Sequence, residues 1–151
     1  MSDSKKIFTR MCINNWGGIS HKVLQFNEYV NLFSGKSGSG KSTVMDAIQV
    51  ILYGSFNANF LNKAADDAKN KRSVLSYLRG EQKDGSANRK DMDFCSVIAL
   101  EIEDKLTHTF TCAGIACEVG KNDSEIKKFV YFSHSGRMPE PGYITADGYC
   151  Y

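Results

Sequence analysis

Proline is scarce, with two in 151 residues, and no composition-biased tract or internal repeat is present, so neither a disordered chain nor a collagen-like one fits. Net charge is nearly absent as well: 19 Lys and Arg against 17 Asp and Glu leave +2, too little for a whole-protein field that attracts nucleic acid. Any basic patch must therefore be local. No apolar run approaches the ~20 residues that span a bilayer, and Met1 to Lys6 is polar and charged, so neither membrane insertion nor secretion is expected. The five cysteines, Cys12, Cys95, Cys112, Cys117 and Cys150, are odd in number and contain no Cys-x-x-Cys. They predict neither a disulfide framework nor a zinc site, but small apolar filler in a reducing cytoplasm. What is present is an ordinary globular composition, 42% apolar and 24% charged, at a length near that of one domain.

The chain reads as an α/β sequence. Ile7 to Asn14 is apolar and β-branched and stops at Gly17-Gly18, which predicts a strand and a turn. Val23, Leu24 and Phe26, then Tyr29 to Phe33, predict a hairpin feeding a buried strand. From Ser42 to Tyr53 the residues Val44, Ala47, Ile48, Ile51 and Leu52 recur at helical spacing, with Gly54 as a C-terminal cap. Residues 55–93 are rich in Asn, Lys, Asp, Gly and Ser, and predict a loop-rich surface insertion with a helical island at Val74 to Leu78. Alternation then resumes over residues 97–102, 106–112, 115–119 and 129–132, interrupted by polar breaks at 103–105 and at Gly114, and predicts antiparallel strands of a second small sheet across 94–135. Residues 136–151 show no periodicity and form an irregular end.

Chemistry concentrates in Gly35-Lys36-Ser37-Gly38-Ser39-Gly40-Lys41-Ser42, a full match to G-x-x-x-x-G-K-[ST] between an apolar run and an amphipathic helix. Gly35, Gly38 and Gly40 allow backbone turns that aim successive N–H groups into one concavity, and the helix N-terminus adds partial positive charge. In such a Walker A loop Lys41 reaches the β- and γ-phosphates of ATP, Ser42 ligates Mg²⁺, and Thr43 adds an α-phosphate contact. Hydrolysis needs more, namely an acidic Mg²⁺ partner and a residue that positions water. The nearest Walker B candidate, Val97-Ile98-Ala99-Leu100-Glu101, alternates onward through Ile102, so Glu101 is expected to be a solvent-facing strand residue. No Ser-Gly-Gly-type signature is present, and half a catalytic site is what the sequence contains.

Asn14-Asn15-Trp16-Gly17-Gly18, Leu24-Gln25-Phe26 and Asn31-Leu32-Phe33-Ser34 leading into the loop resemble the start of an SMC-like, ABC-type ATPase head. The stretch from Phe33 to Gln49, with Leu61 to Asp67 and Ser73 to Gly80, resembles the JetC family, the MukB/MksB-like motors of Wadjet anti-plasmid defence. The resemblance runs from about Asn14 to the end, through Glu118 to Lys121 and His134 to Met138. It implies that residues 1–151 are the N-terminal lobe of a P-loop NTPase head: strands, Walker A loop and first helix in 7–54, then an added antiparallel sheet. The fold would be incomplete and truncated near 151, with the signature motif, Walker B and switch histidine beyond a coiled coil. No glutamine follows Gln82, so the Q-loop residue is also expected to be missing or beyond the end.

The same resemblance implies an ATPase whose heads dimerise around ATP and Mg²⁺ to act on DNA, with kleisin, accessory and nuclease subunits, in the cytoplasm. Lys41 would be its catalytic residue. An arginine after the first helix would approach nucleotide or DNA, Arg72 first and Arg79 second, each of which can equally be a solvated loop charge. The modest basic excess over 61–90 can touch backbone phosphates or simply be solvated. Asn15, Trp16, His21 and Lys22 lie where related heads contact base or phosphates, although Trp16 as packing and His21 as a surface residue are the plainer readings. A stand-alone small P-loop kinase or NTPase, and a non-catalytic nucleotide-binding fragment, are the alternatives.

Overall fold

The computed structural model describes residues 5–29, 31–32, 34, 41–53, 74–80, 86–124, 126, 128–140 and 142–143, with the backbone alone for Ser42, Val74 and Ser76. In chain order the elements are β1 (Lys6–Trp16), β2 (Ile19–Gln25), α1 (Lys41–Tyr53), α2 (Val74–Arg79), β3 (Phe94–Asp104), β4 (Thr109–Val119) and β5 (Lys128–Ser135).

All five strands belong to one antiparallel sheet in the order β2-β1-β3-β4-β5. The expected second sheet is thus a continuation of the first. β1 contains Met11, Cys12 and Ile13, all fully buried, and a strand with apolar residues on both faces belongs in the sheet interior rather than at its edge. It pairs with β3 from Lys6↔Asp104 to Asn14↔Val97, with a register shift between Phe8 and Arg10.

One face carries Met11, Ile13, Leu100, Ile98 and Ile115 and is covered by α1 and α2. α1 buries Val44, Ala47 and Val50 there, with Ile48 and Ile51 partly buried. Leu52, expected on this stripe, is 58% exposed, and Val50 takes its place. The opposite face carries Cys12, Val97, Ala99 and Cys112 and is covered by the segment after β5, through Met138 and Tyr143. That segment crosses the sheet from β5 back to β1 as a strap.

Three further expectations are corrected. Tyr29 and Leu32 are 81% and 87% exposed and lie outside any strand, so no buried strand forms over the described residues of 29–33. Two or three apolar residues flanked by Asn and Glu do not compete for a sheet edge. Leu106, expected to open a strand, sits in the β3–β4 turn, where the Asp104 carboxylate accepts from the Leu106 N–H at 2.9 Å and the Asp104 carbonyl from the His108 N–H at 2.8 Å. Gly114 does not break β4. It faces Ala99 across the ladder, and a Cβ there would lie 2.3 Å from the Ile98 carbonyl oxygen, so glycine is required for the two strands to approach.

Part of the expected surface insertion is core: in α2 Leu75, Tyr77 and Leu78 are buried against β1 and α1. Gly54 and the remainder of 55–73 lie outside the described residues. The cysteines also divide. Cys12, Cys112 and Cys117 are free and buried, whereas Cys95 is disulfide-bonded and is not simple filler.

Candidate nucleotide-binding site

The Walker A residues Gly35, Lys36, Ser37, Gly38, Ser39 and Gly40 lie outside the described residues, as does Arg72. The structure describes the helix that follows them in the chain. Lys41 and Ser42 open α1, and Thr43 follows in its first turn.

The end of β1 fixes this turn. Asn15 adopts φ 52, a left-handed conformation that asparagine tolerates better than most residues, and its amide donates to the Cys95 carbonyl of β3 at 2.8 Å. The kink breaks the alternation of β1. Trp16 therefore joins Met11 and Ile13 on the helix face, where it is fully buried. Its indole N–H donates to the Thr43 carbonyl at 3.1 Å. Gly17, at φ 54, presses against Thr43 so closely that a Cβ would lie 2.8 Å from the Thr43 Cγ2. Strand end and helix start are thus clamped at one point, and Trp16 is committed to packing rather than open for stacking on a base.

A polar node lies under the same turn. Tyr77 of α2 packs edge-on against Trp16, with ring centroids 4.9 Å apart, and its hydroxyl donates to the buried Asp46 carboxylate at 3.0 Å. Burial, then the Asp46 charge, holds the Tyr77 phenol well above its ordinary range, so it stays a neutral donor. Arg89 completes the base. It is 3% exposed, donates from Nε to the Leu78 carbonyl at 2.7 Å, and from Nη2 to the Gly17 carbonyl. Tyr77, Asp46 and Arg89 were invisible to motif reasoning. The one signal was Asp46, a carboxylate inside an otherwise apolar helical repeat.

The remaining candidates are placed elsewhere. Arg79 donates from Nη2 to the carbonyls of Gly120, Lys121 and Asp123 at 2.9 to 3.4 Å, which commits it to the β4–β5 loop. His21 and Lys22 are exposed on β2, and the His21 ring pairs with the Asn14 side-chain oxygen. Glu101 is not solvent-facing. It is fully buried on the strap side, bound by Thr9 Oγ1 at 2.8 Å, by Arg10 at 3.1 and 3.2 Å, and by the Met138 N–H at 2.6 Å. Its strand is antiparallel to β1 and its oxygens are saturated, so its role is to join β1, β3 and the strap. Among the described residues no cluster of His, Cys, Asp and Glu could hold a metal ion, and no helix is long and apolar enough to cross a membrane.

Similarity to known proteins falls on this same region. Residues 8–68 match the family described as the P-loop containing region of AAA domain. The C component of the nuclease SbcCD from Staphylococcus haemolyticus (strain JCSC1435) is 33% identical over 74 residues, 46% of this chain. The chain spans 6% of that relative's length. Over residues 8–68, then, the sequence is similar to a P-loop containing region, and the described part of that stretch includes most of β1 and all of β2 and α1.

Proposed function

We propose that this chain is the Walker A lobe of an SMC-like ATPase and that it binds ATP with Mg²⁺ at the N-terminus of α1. The observation that supports the reading is the clamp at the start of α1: Trp16 on the Thr43 carbonyl and Gly17 on the Thr43 side chain fix the first turn of the helix, the turn whose N–H groups a P-loop uses. Lys41 would neutralise the β- and γ-phosphates, the Ser42 hydroxyl would ligate the metal, and the Gly35 to Gly40 backbone would cradle the phosphate oxygens. Mg²⁺, when bound, would supply neutralisation of the phosphate charge.

At the finer level the chain acts as one half of a composite ATPase resembling the JetC motors of Wadjet systems. Two heads would close on two nucleotides, with the γ-phosphate completing the interface and hydrolysis releasing it, and the assembly with kleisin, accessory and nuclease subunits would act on DNA. The antiparallel partners of β1 support this over a stand-alone kinase, which would place its acidic metal ligand on a later parallel strand.

Calorimetric titration tests the reading. ATP with Mg²⁺ is expected to bind the 151-residue chain, and Lys41→Ala to weaken binding by at least about tenfold, the loss of one charge-assisted phosphate contact. Turnover by the chain alone is expected to be negligible. Unchanged affinity in Lys41→Ala sinks the binding site, and hydrolysis by a pure monomer that disappears in Lys41→Ala sinks the composite-site reading.

A further inference from the structure

Among the described residues Arg89 is a buried cation without a counter-ion. It is 3% exposed, its two bonded nitrogens meet only the carbonyls of Leu78 and Gly17, and its third nitrogen, Nη1, is buried with no acceptor. Among the described residues no carboxylate pairs with it, and the guanidinium carbon lies over the Phe94 ring, 5.6 Å from its centroid. Burial alone holds its pKa below the ordinary arginine value.

For stability such a group is a liability. An unmatched buried nitrogen carries its full desolvation penalty, and a desolvated charge without an opposite one costs more. Two carbonyl bonds could be made by neutral donors, so packing does not explain why the charge is there. Its place does. The Gly17 carbonyl that Arg89 holds belongs to the residue lying against Thr43, two positions past Lys41.

We infer that Arg89 is a positioning residue of the P-loop site: it seats Gly17 under Thr43, and its positive charge, which no described carboxylate pairs with, makes the site favour ligands according to their negative charge. This rests on the reading of α1 as the nucleotide-binding helix. The charge does not touch the nucleotide. It acts through a water-poor core, where a fixed charge is screened far less than at the surface. The ligand class implied is a polyphosphate, preferred over a monophosphate of the same nucleoside.

The preference is tested by titrating ATP, ADP and AMP without magnesium into the wild-type chain, Arg89→Met, Arg89→Lys and Asn88→Asp. Asn88→Asp is an isosteric change at an exposed position; the Asn88 Cβ and the Arg89 Nη2 flank the same face of Gly80, at 3.3 and 3.2 Å from where a Cβ on that glycine would sit, so the change adds a negative charge close to Arg89 without removing any of its bonds. Arg89→Met is expected to lose ATP affinity about tenfold and AMP affinity at most about threefold, while Arg89→Lys keeps the wild-type ratio. Asn88→Asp should lower the ATP to AMP ratio about threefold.

A purely structural arginine predicts something else: losses by one common factor for all three ligands, or a lower melting temperature with affinities unchanged. Either result overturns the inference. Should Arg89→Met fail to fold, Asn88→Asp decides, and an unchanged ratio there overturns it. A wild-type chain that binds ATP, with binding lost in Lys41→Ala, keeps the P-loop reading intact whatever the Arg89 outcome. A wild-type chain that binds no nucleotide sinks both.

Discussion

Glu101 shows how much a single side chain can join. Its two oxygens collect Thr9 and Arg10 from β1 and the Met138 N–H from the strap, and Arg137 approaches to 3.6 Å. Arg10 in turn reaches Glu140 at 2.5 Å, so strand and strap are tied through one guanidinium. Burial pushes the Glu101 carboxyl upward, but the Met138 N–H, Arg10 and Thr9 outweigh it and hold the group below its ordinary 4.5. A depressed folded pKa contributes stability above the unfolded value, and that contribution is lost as pH falls through the folded one. Glu101→Gln should therefore cost about 3 kcal/mol at neutral pH, by leaving Arg10 largely buried and poorly matched, and should flatten the loss of stability below pH 4.5. Urea unfolding of both proteins from pH 3 to 7 measures both effects. Strand alternation misplaced this residue on the solvent side because the cover on that face comes from residues 136–143, which have no periodicity to read.

Elements with a long repeat were legible and short ones were not. α1 and the hairpin around Gly17-Gly18 follow from spacing and glycine placement, because 13 helical residues and an 11-residue strand each repeat their pattern several times. Tyr29 to Phe33 was too short for any period to decide, and Gly114 carried the wrong meaning. In a sequence, a mid-strand glycine looks the same whether it ends a strand or lets two strands approach closely. Gly114→Ala separates these. A Cβ placed 2.3 Å from the Ile98 oxygen and 2.8 Å from the Ala99 Cβ must force β3 and β4 apart, for an expected loss of about 2–3 kcal/mol in thermal or urea unfolding. A glycine that merely ended a strand would tolerate alanine. Of the candidate site, the motif and the helix that follows it were visible from sequence, whereas the Tyr77–Asp46 bond and the Arg89 bonds to Leu78 and Gly17 were not, because each joins residues distant in the chain that come together only in the folded structure.

At the scale of the molecule, one sheet is covered on one side by helices and on the other by a strap, and the free thiols report on each cover separately. Cys12 lies 3.1 Å from the Gly142 oxygen and Cys112 lies 3.6 Å from the Gly136 oxygen, both under the strap, while Cys117 is in the helix-side core. Burial pushes Cys12 up to about 12 and Cys117 up to about 11, so the reactive thiolate is scarce at neutral pH. Site-mapped labelling is expected to find all three slow in the native chain. Met138→Asp, which sets a charge in the strap-side core, should accelerate Cys12 and Cys112 and leave Cys117 slow; equal acceleration would mean that the two covers open together. The clamp at Trp16 has a consequence of another kind. As the sole tryptophan, it makes the intrinsic fluorescence of the chain a one-point signal. That point is the bond to Thr43 and the edge of Tyr77, so the emission colour is a built-in gauge of how the first turn of α1 is seated.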